Sequence, residues 1–219
     1  MGTFENGING PFRGRVGHVV GSKWRSINYM KSLPRARRNK RPPTPQQALQ
    51  HQKLTLLNQF LRNIRPYLET GFRQYTGRAT GVNAACHFNF DHAFLLDDGK
   101  VSLNYPALKF SHGSLYTAGD ERAWRKNDGI QVTWHPKTYG MGGAPDDIAF
   151  LFAYSPEQDI FYSTRGPVVR QDGSAYIPFD GDDAGREVHL WLFFADNRRT
   201  RVSNTVYIPL SDPPTPEDQ

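Results

Sequence analysis

From about Gly119 onward the chain alternates short apolar runs with clusters of turn-forming residues. The runs are IQVTWH, DIAFLFAYS, IFYSTR, SAYIPF, EVHLWLFFA and RVSNTVYIP, separated by GMGGAPD, SPEQD, RQDG, DGDDAG and DNRRT. Short strands at this spacing predict an antiparallel sandwich of immunoglobulin or fibronectin-III type over residues 118–210. EVHLWLFF and RVSNTVYI, joined through ADNRRT, form the expected last hairpin, and Trp134, near the start of the sandwich, and Trp191, near its end, are the sandwich's expected core anchors.

Upstream the period changes. Leu49, Leu56, Leu57, Phe60, Leu61, Ile64 and Leu68 recur at helical spacing. Thr44 as N-cap, Pro45 at the first helical position and Gln47 three residues after the cap give a capping box. One long helix is expected from there to about Arg65, where Pro66 ends or kinks it. Its apolar stripe is expected to pack on its own domain. Farther on, GVNAACHFNFDHAF fits either a short helix or a strand. KVSLNYPALKF and GSLYTA read as strands, with turns at Pro106 and at His112-Gly113.

The N-terminal pattern has period two. Phe12 to Val20 and Lys23 to Leu33 read as two strands with a turn at Gly21-Ser22. In the second, Trp24, Ser26, Asn28 and Met30 alternate with Arg25, Ile27, Tyr29 and Lys31. A lone hairpin is marginal in water, so it is expected to pair with its own body or with a neighbouring subunit. PRARRNKRPPTP, from Pro34 to Pro45, reads as an extended basic linker, and SDPPTPEDQ as a flexible acidic end. The expected fold is therefore mainly β with one long helix, of α+β class. It comprises a hairpin arm and linker (1–43), a helix with short strands (44–117), the sandwich (118–210) and a tail (211–219).

Composition adds that this is a chain with a packed core, since 37% of its 219 residues are hydrophobic and 13% aromatic. The single cysteine, Cys86, excludes an intrachain disulfide. No run approaches the roughly 18 apolar residues of a spanning helix, and no signal-peptide pattern opens the chain. Synthesis in the cytoplasm without membrane insertion is expected, with release or export as part of an assembly left open. The net charge of +6 conceals an asymmetry. Residues 6–68 hold 13 basic and no acidic residues, whereas the remainder holds 14 basic against 21 acidic, a net of −7. Such a chain is suited to head-to-tail contact with its own copies, or to a polyanion.

Candidate chemistry changes this picture little. The seven histidines form no HExxH or Cys-x-x-Cys pattern, and the spacing in CHFNFDH matches no established metal site. DGDDAG, Asp180 to Gly185, lacks the spaced ligands of a calcium loop and suits a turn. GPFRGRVG has glycines like a phosphate loop, but neither a preceding strand nor Gly-Lys-Ser/Thr accompanies it; glycines in a strand also permit close approach of another backbone. No Ser sits in G-x-S-x-G. No enzymatic activity, cofactor or metal is expected. Nucleic acid is the serious competitor to self-association, because Arg35, Arg37, Arg38, Lys40 and Arg41 suit phosphates while Trp24 and Tyr29 suit base stacking.

The pattern G-x-x-G-x-x-x-G-R-V-G-x-V-V-G-x-x-W-x-x-x-x-Y-x-x-S-L-P-R, from Gly7 to Arg35, is followed by P-x-x-Q-x-x-x-x-x-K-L and closes on VSNTVYI. Together these resemble an uncharacterised family of Bacteroidota proteins, a domain of unknown function. The hairpin and TPxQ opening is also similar to the start of small phage-associated proteins. The resemblance implies a two-part protein with a C-terminal β-sandwich, and leans towards a phage-like particle or a filament. The expected partners are other copies of the chain, with nucleic acid as the alternative. The expected assembly interface is Arg13, Arg15, Val19, Trp24, Arg25, Tyr29, Arg35, Arg37, Arg38 and Arg41. A third possibility is a glycan- or surface-binding sandwich using Tyr139, Tyr154, Phe161 and Tyr162.

Overall fold

The computed structural model describes residues 2–4, 7, 10–24, 26–33, 42–77, 79–97, 99–126, 128–136, 138, 142–179 and 186–213. Residues 34–41 of the expected linker, Tyr139, the Asp180 to Gly185 segment and residues 214–219 of the expected tail lie outside the described residues. The chain divides into two compact units, Met1–Pro43 and Thr44–Gln219.

The N-terminal unit is a four-stranded antiparallel meander. Its strands are β1 (Thr3–Phe4), β2 (Phe12–Val16), β3 (Val19–Trp24) and β4 (Ile27–Ser32), hydrogen-bonded in that order. The expected two-strand hairpin is corrected here. Gly17, with φ +59°, makes the first turn, and Gly21 lies inside β3 rather than in a turn. Gly21 is required for close approach, because a methyl group there would collide with the Phe12 carbonyl oxygen. Among the described residues of this unit, Gly21 alone is buried.

The second unit begins as the capping pattern predicts. In α1 (Pro45–Arg62), Thr44 Oγ1 accepts from the Gln47 N–H at 3.3 Å, and Gln47 Oε1 accepts from the Thr44 N–H at 3.1 Å. The single long helix gives way to three. After α1 come α2 (Arg65–Gly71), with Pro66 in its first turn, and α3 (Gly81–Asn89), capped by Thr80. Proline lacks an N–H to continue α1 but suits a helix start. Asn89 ties α3 to the following chain. Its Nδ2 donates to the Ala85 and Lys109 carbonyls at 2.8 and 2.7 Å, and its Oδ1 accepts from the Lys109 N–H at 2.7 Å.

A hairpin follows, β5 (Phe94–Asp97) with β6 (Lys100–Leu103), then a single 3-10 turn at Tyr105–Ala107. GSLYTA makes only an isolated bridge, Leu115 to Ser203. The remaining strands are β7 (Arg122–Lys126), β8 (Gly129–Thr133), β9 (Ile148–Ser155), β10 (Ile160–Ser163), β11 (Val168–Val169), β12 (Ser174–Pro178), β13 (His189–Ala195) and β14 (Val206–Ile208). They form one sheet in the order β12-β8-β7 and another in the order β10-β9-β13-β14, with β11 pairing the other end of β9. β13 and β14 form the expected last hairpin. The architecture is α+β, with mostly antiparallel sheets and three helices.

The central strands β9 and β13 are buried on both faces, which explains why they read as unbroken apolar runs. Leu151 of β9 and Leu190, Leu192 and Phe194 of β13 share a core with Ile130, Val132 and Ile177 of the smaller sheet. The alternate residues Phe152, Tyr154, Trp191 and Phe193 share a second core with Leu57, Leu61, Ile64 and Leu68. Trp134 belongs to the first core, but Trp191 belongs to the second, because alternation places it in phase with Phe193. The smaller sheet's side also holds a buried ion pair, Arg170 Nε to Asp147 Oδ2 at 3.0 Å.

Candidate functional site

Pairing in the N-terminal sheet sets which side chains share a face. Opposed residues lie on the same side, so Trp24 and Ile27, Ser22 and Tyr29, and Val20 with Lys31 and Arg15 form one face. Val19, paired with Ser32, lies on the opposite face with Val16, Lys23 and Met30. Of the expected interface, the sheet therefore brings together Arg15, Trp24 and Tyr29 and separates Val19 from them. Arg13 pairs with Thr3 in the β1–β2 ladder. Arg25, Arg35, Arg37, Arg38 and Arg41 lie outside the described residues.

All six residues of β4 are exposed, Met30 by 70% and Ile27 by 52%. Among the described residues β4 pairs with β3 alone, which leaves its outer row of backbone N–H and C=O groups open. Residues 1–43 carry ten Lys and Arg against the single Glu5. The unit thus combines a free, apolar strand edge with a strong positive charge, and it has almost no core of its own.

A second opening lies in the larger unit, where residues 44–117 had suggested only packing. A slot of about 670 Å³ runs between α1 and the β6 strand. His51, Gln52, Thr55, Leu56 and Gln59 line one wall, and Gly99, Lys100 and Val101 the other. It adjoins a deeper recess of about 300 Å³ that shares Leu56, Gln59 and Val101 and adds Ser102, Leu103, Tyr105, Tyr154 and Asp159. In the recess the Tyr105 and Tyr154 rings lie side by side, their centroids 5.6 Å apart, and Tyr154 donates to Asp159 Oδ1 at 2.9 Å. Burial, then the bond to Asp159, raises the Tyr154 pKa far above its ordinary value, so this phenol stays protonated and Asp159 the acceptor.

Behind the recess, His189 stacks on Tyr105 with ring centroids 4.3 Å apart and shares a 2.9 Å hydrogen bond between its Nδ1 and the Tyr207 hydroxyl. Burial lowers its pKa, with Glu187, 3.4 Å from Nε2, opposing the shift. Of the described aromatics among those suggested for a surface site, Tyr154 alone lines the opening. Phe161 packs against the second core, and the buried Tyr162 donates to Gln158 at 2.7 Å. Asp159 sits inside the SPEQD turn signal, where an aspartate is expected on conformational grounds alone. Its φ of +56° bears that out and hides its second role.

No curated protein and no solved structure matches the chain. Residues 11–209, which take in three of the four N-terminal strands and nearly all of the larger unit, match a single family. The chain accordingly belongs to DUF6266, a family of unknown function.

Proposed function

We propose that this chain is a non-enzymatic structural protein whose N-terminal sheet joins one copy to the next by strand addition. The observation that carries the reading is β4: fully exposed, apolar at Ile27, Tyr29 and Met30, and open along its outer edge among the described residues. Monomeric proteins blunt such edges with charge, proline or short strands, and an unblunted edge is a template for another chain. The charge division supports a head-to-tail contact between a basic arm and an acidic body. Contacts of that type close into rings or extend into filaments according to their rotation. A filament or phage-like particle is the setting we favour, in line with the phage-like opening of the sequence. For the larger unit we favour a fibronectin-III-like sandwich. With β7, β8, β9, β12, β13 and β14 lettered A, B, C, E, F and G, its sheets read E-B-A and C-F-G.

The test is the size of the full-length protein by sedimentation velocity, beside an Asn28→Lys/Met30→Lys variant. These two positions share the face opposite Trp24 and Tyr29, so added lysines blunt the edge while leaving the stacking face intact. Concentration-dependent assembly in the wild type and a monomeric variant are expected. Equal assembly by both would overturn the reading.

A second reading rests on the other face, where Trp24 and Tyr29 stand beside Arg15 and Lys31. That is a stacking platform with cations, of the kind that holds single-stranded nucleic acid. Under it, the lysine variant would bind an oligonucleotide at least as well as the wild type, with steep salt dependence.

A further inference from the structure

The slot between α1 and β6 has the features of a strand acceptor. Five consecutive residues, Gly99 to Leu103, line it and its recess. An opening over one face of a strand would be lined by alternate residues, because side chains alternate across the sheet. Lining by every residue, with none from β5, places the opening along the edge of β6. That edge is open, since among the described residues β6 pairs with β5 alone. A helix flanking an open strand edge is the arrangement in which an extended segment adds a strand and lays alternate side chains against the helix.

The lining states what the segment should look like. Leu56, Val101 and Leu103 offer apolar contacts along the slot. At its inner end, Asp159 accepts from Tyr154, and no cation is paired with its carboxylate among the described residues. A carboxylate beside two tyrosine rings suits a lysine or arginine, through charge and ring-face attraction together. The segment should therefore alternate apolar, apolar, cationic. β4 has that pattern on one face, with Ile27, Tyr29 and Lys31 at every second position, and its own edge is free.

We propose that the α1–β6 slot receives β4 of a second copy of this chain, with Lys31 of that copy at the Asp159–Tyr154–Tyr105 end. Lys100 stands at the opposite end of the slot, which favours this direction because Lys31 is kept from a like charge. The inference rests on the arm-mediated assembly proposed above and supplies its acceptor. Each copy then carries one donor strand and one acceptor slot, which makes the contact heterologous, closing into a ring or extending into a filament according to its rotation.

The test uses the full chain. Gln59→Trp fills the slot from an exposed position, and Lys31→Glu places like charge at Asp159. Each variant alone should associate about tenfold or more weakly than the wild type in sedimentation velocity. Mixed together, they should form a dimer that does not grow, because one retains an intact strand and the other an intact slot. Circular dichroism and a thermal melt equal to the wild type establish that both variants are folded, and Asp159→Asn, a milder change, should weaken assembly in the same direction. If Gln59→Trp and Lys31→Glu assemble like the wild type while Asn28→Lys/Met30→Lys does not, the slot is not the acceptor and the arm reading stands. If all of them, wild type included, sediment as monomers, both proposals fall. Two weakened variants that do not complement each other would also overturn the slot.

Discussion

Replacing Arg170 by methionine is the sharpest perturbation of the larger unit. The guanidinium is fully buried, and Asp147 is nearly so. Beyond the 3.0 Å ion pair, Nη2 donates to the Tyr116 carbonyl at 2.7 Å, and the group lies 4.0 Å from the Phe194 ring centroid. Asp147 Oδ2 also accepts from the Ala144 N–H at 2.9 Å. Methionine keeps much of the volume but leaves a buried carboxylate without its counter-charge and the Tyr116 carbonyl without that donor. Removing one partner of a buried pair costs about 3–5 kcal/mol, a large share of a total stability on the order of 5–15 kcal/mol. For a chain of this size the melting temperature should fall by about 6–20 °C. Urea unfolding followed by tryptophan fluorescence measures the loss directly. Trp134 is a local reporter, because its Nε1 donates to the Arg170 carbonyl at 2.9 Å. An Arg170→Met/Asp147→Leu double variant should recover much of the stability, since no orphaned charge remains. A single-variant loss below about 1 kcal/mol, the range of exposed pairs, would refute the reasoning. So would a double variant as unstable as the single.

Three further outcomes follow from the same packing. Gly21→Ala forces the Phe12 carbonyl away from β3, so amide exchange should speed up across residues 12–24 while the larger unit keeps its urea midpoint; unchanged protection would contradict the close approach. Asn89→Leu leaves the Lys109 N–H and C=O without their side-chain partner, at about 1–3 kcal/mol for each group left unpaired, and the same unfolding assay measures it. His189 is held neutral by burial, against the pull of Glu187. Its folded pKa lies below the unfolded value near 6.5, so its contribution is complete above that value and is lost as pH falls through it. His189→Gln should therefore narrow the melting-temperature gap between about pH 7.5 and about pH 5; a gap as wide as in the wild type would exclude His189 as its source.

What the sequence disclosed, and what it hid, follows from the range of each interaction. The Thr44 box is legible because all its parts lie within four residues. The strands β8, β9, β12 and β13 are legible because burial on one or both faces writes itself into a run. Gly21 was misread because its reason, the Phe12 carbonyl, comes from a neighbouring strand and leaves no mark in the local pattern. α3 was ambiguous because nine residues are too few for a period of 3.6 to separate from a period of two. The slot was invisible for a deeper reason. Gln59, Val101, Tyr105, Tyr154 and Asp159 come from three stretches of chain about fifty residues apart, and none departs from what helix, hairpin or turn would require alone. The arm's charge and aromatics could be read from sequence, but which residues share a face depended on register.

The two-sided burial of β9 and β13 also bears on how such a chain can be inherited. A sandwich cut free at residue 118 would bare Phe152, Tyr154, Trp191 and Phe193 to water, because the helices of 45–89 together with Tyr105, Leu108 and Phe110 are their cover. The piece that recombination can move intact is therefore the whole of the larger unit. Any chain that borrowed the sandwich alone would have to evolve a new lid for that aromatic face before it could remain soluble.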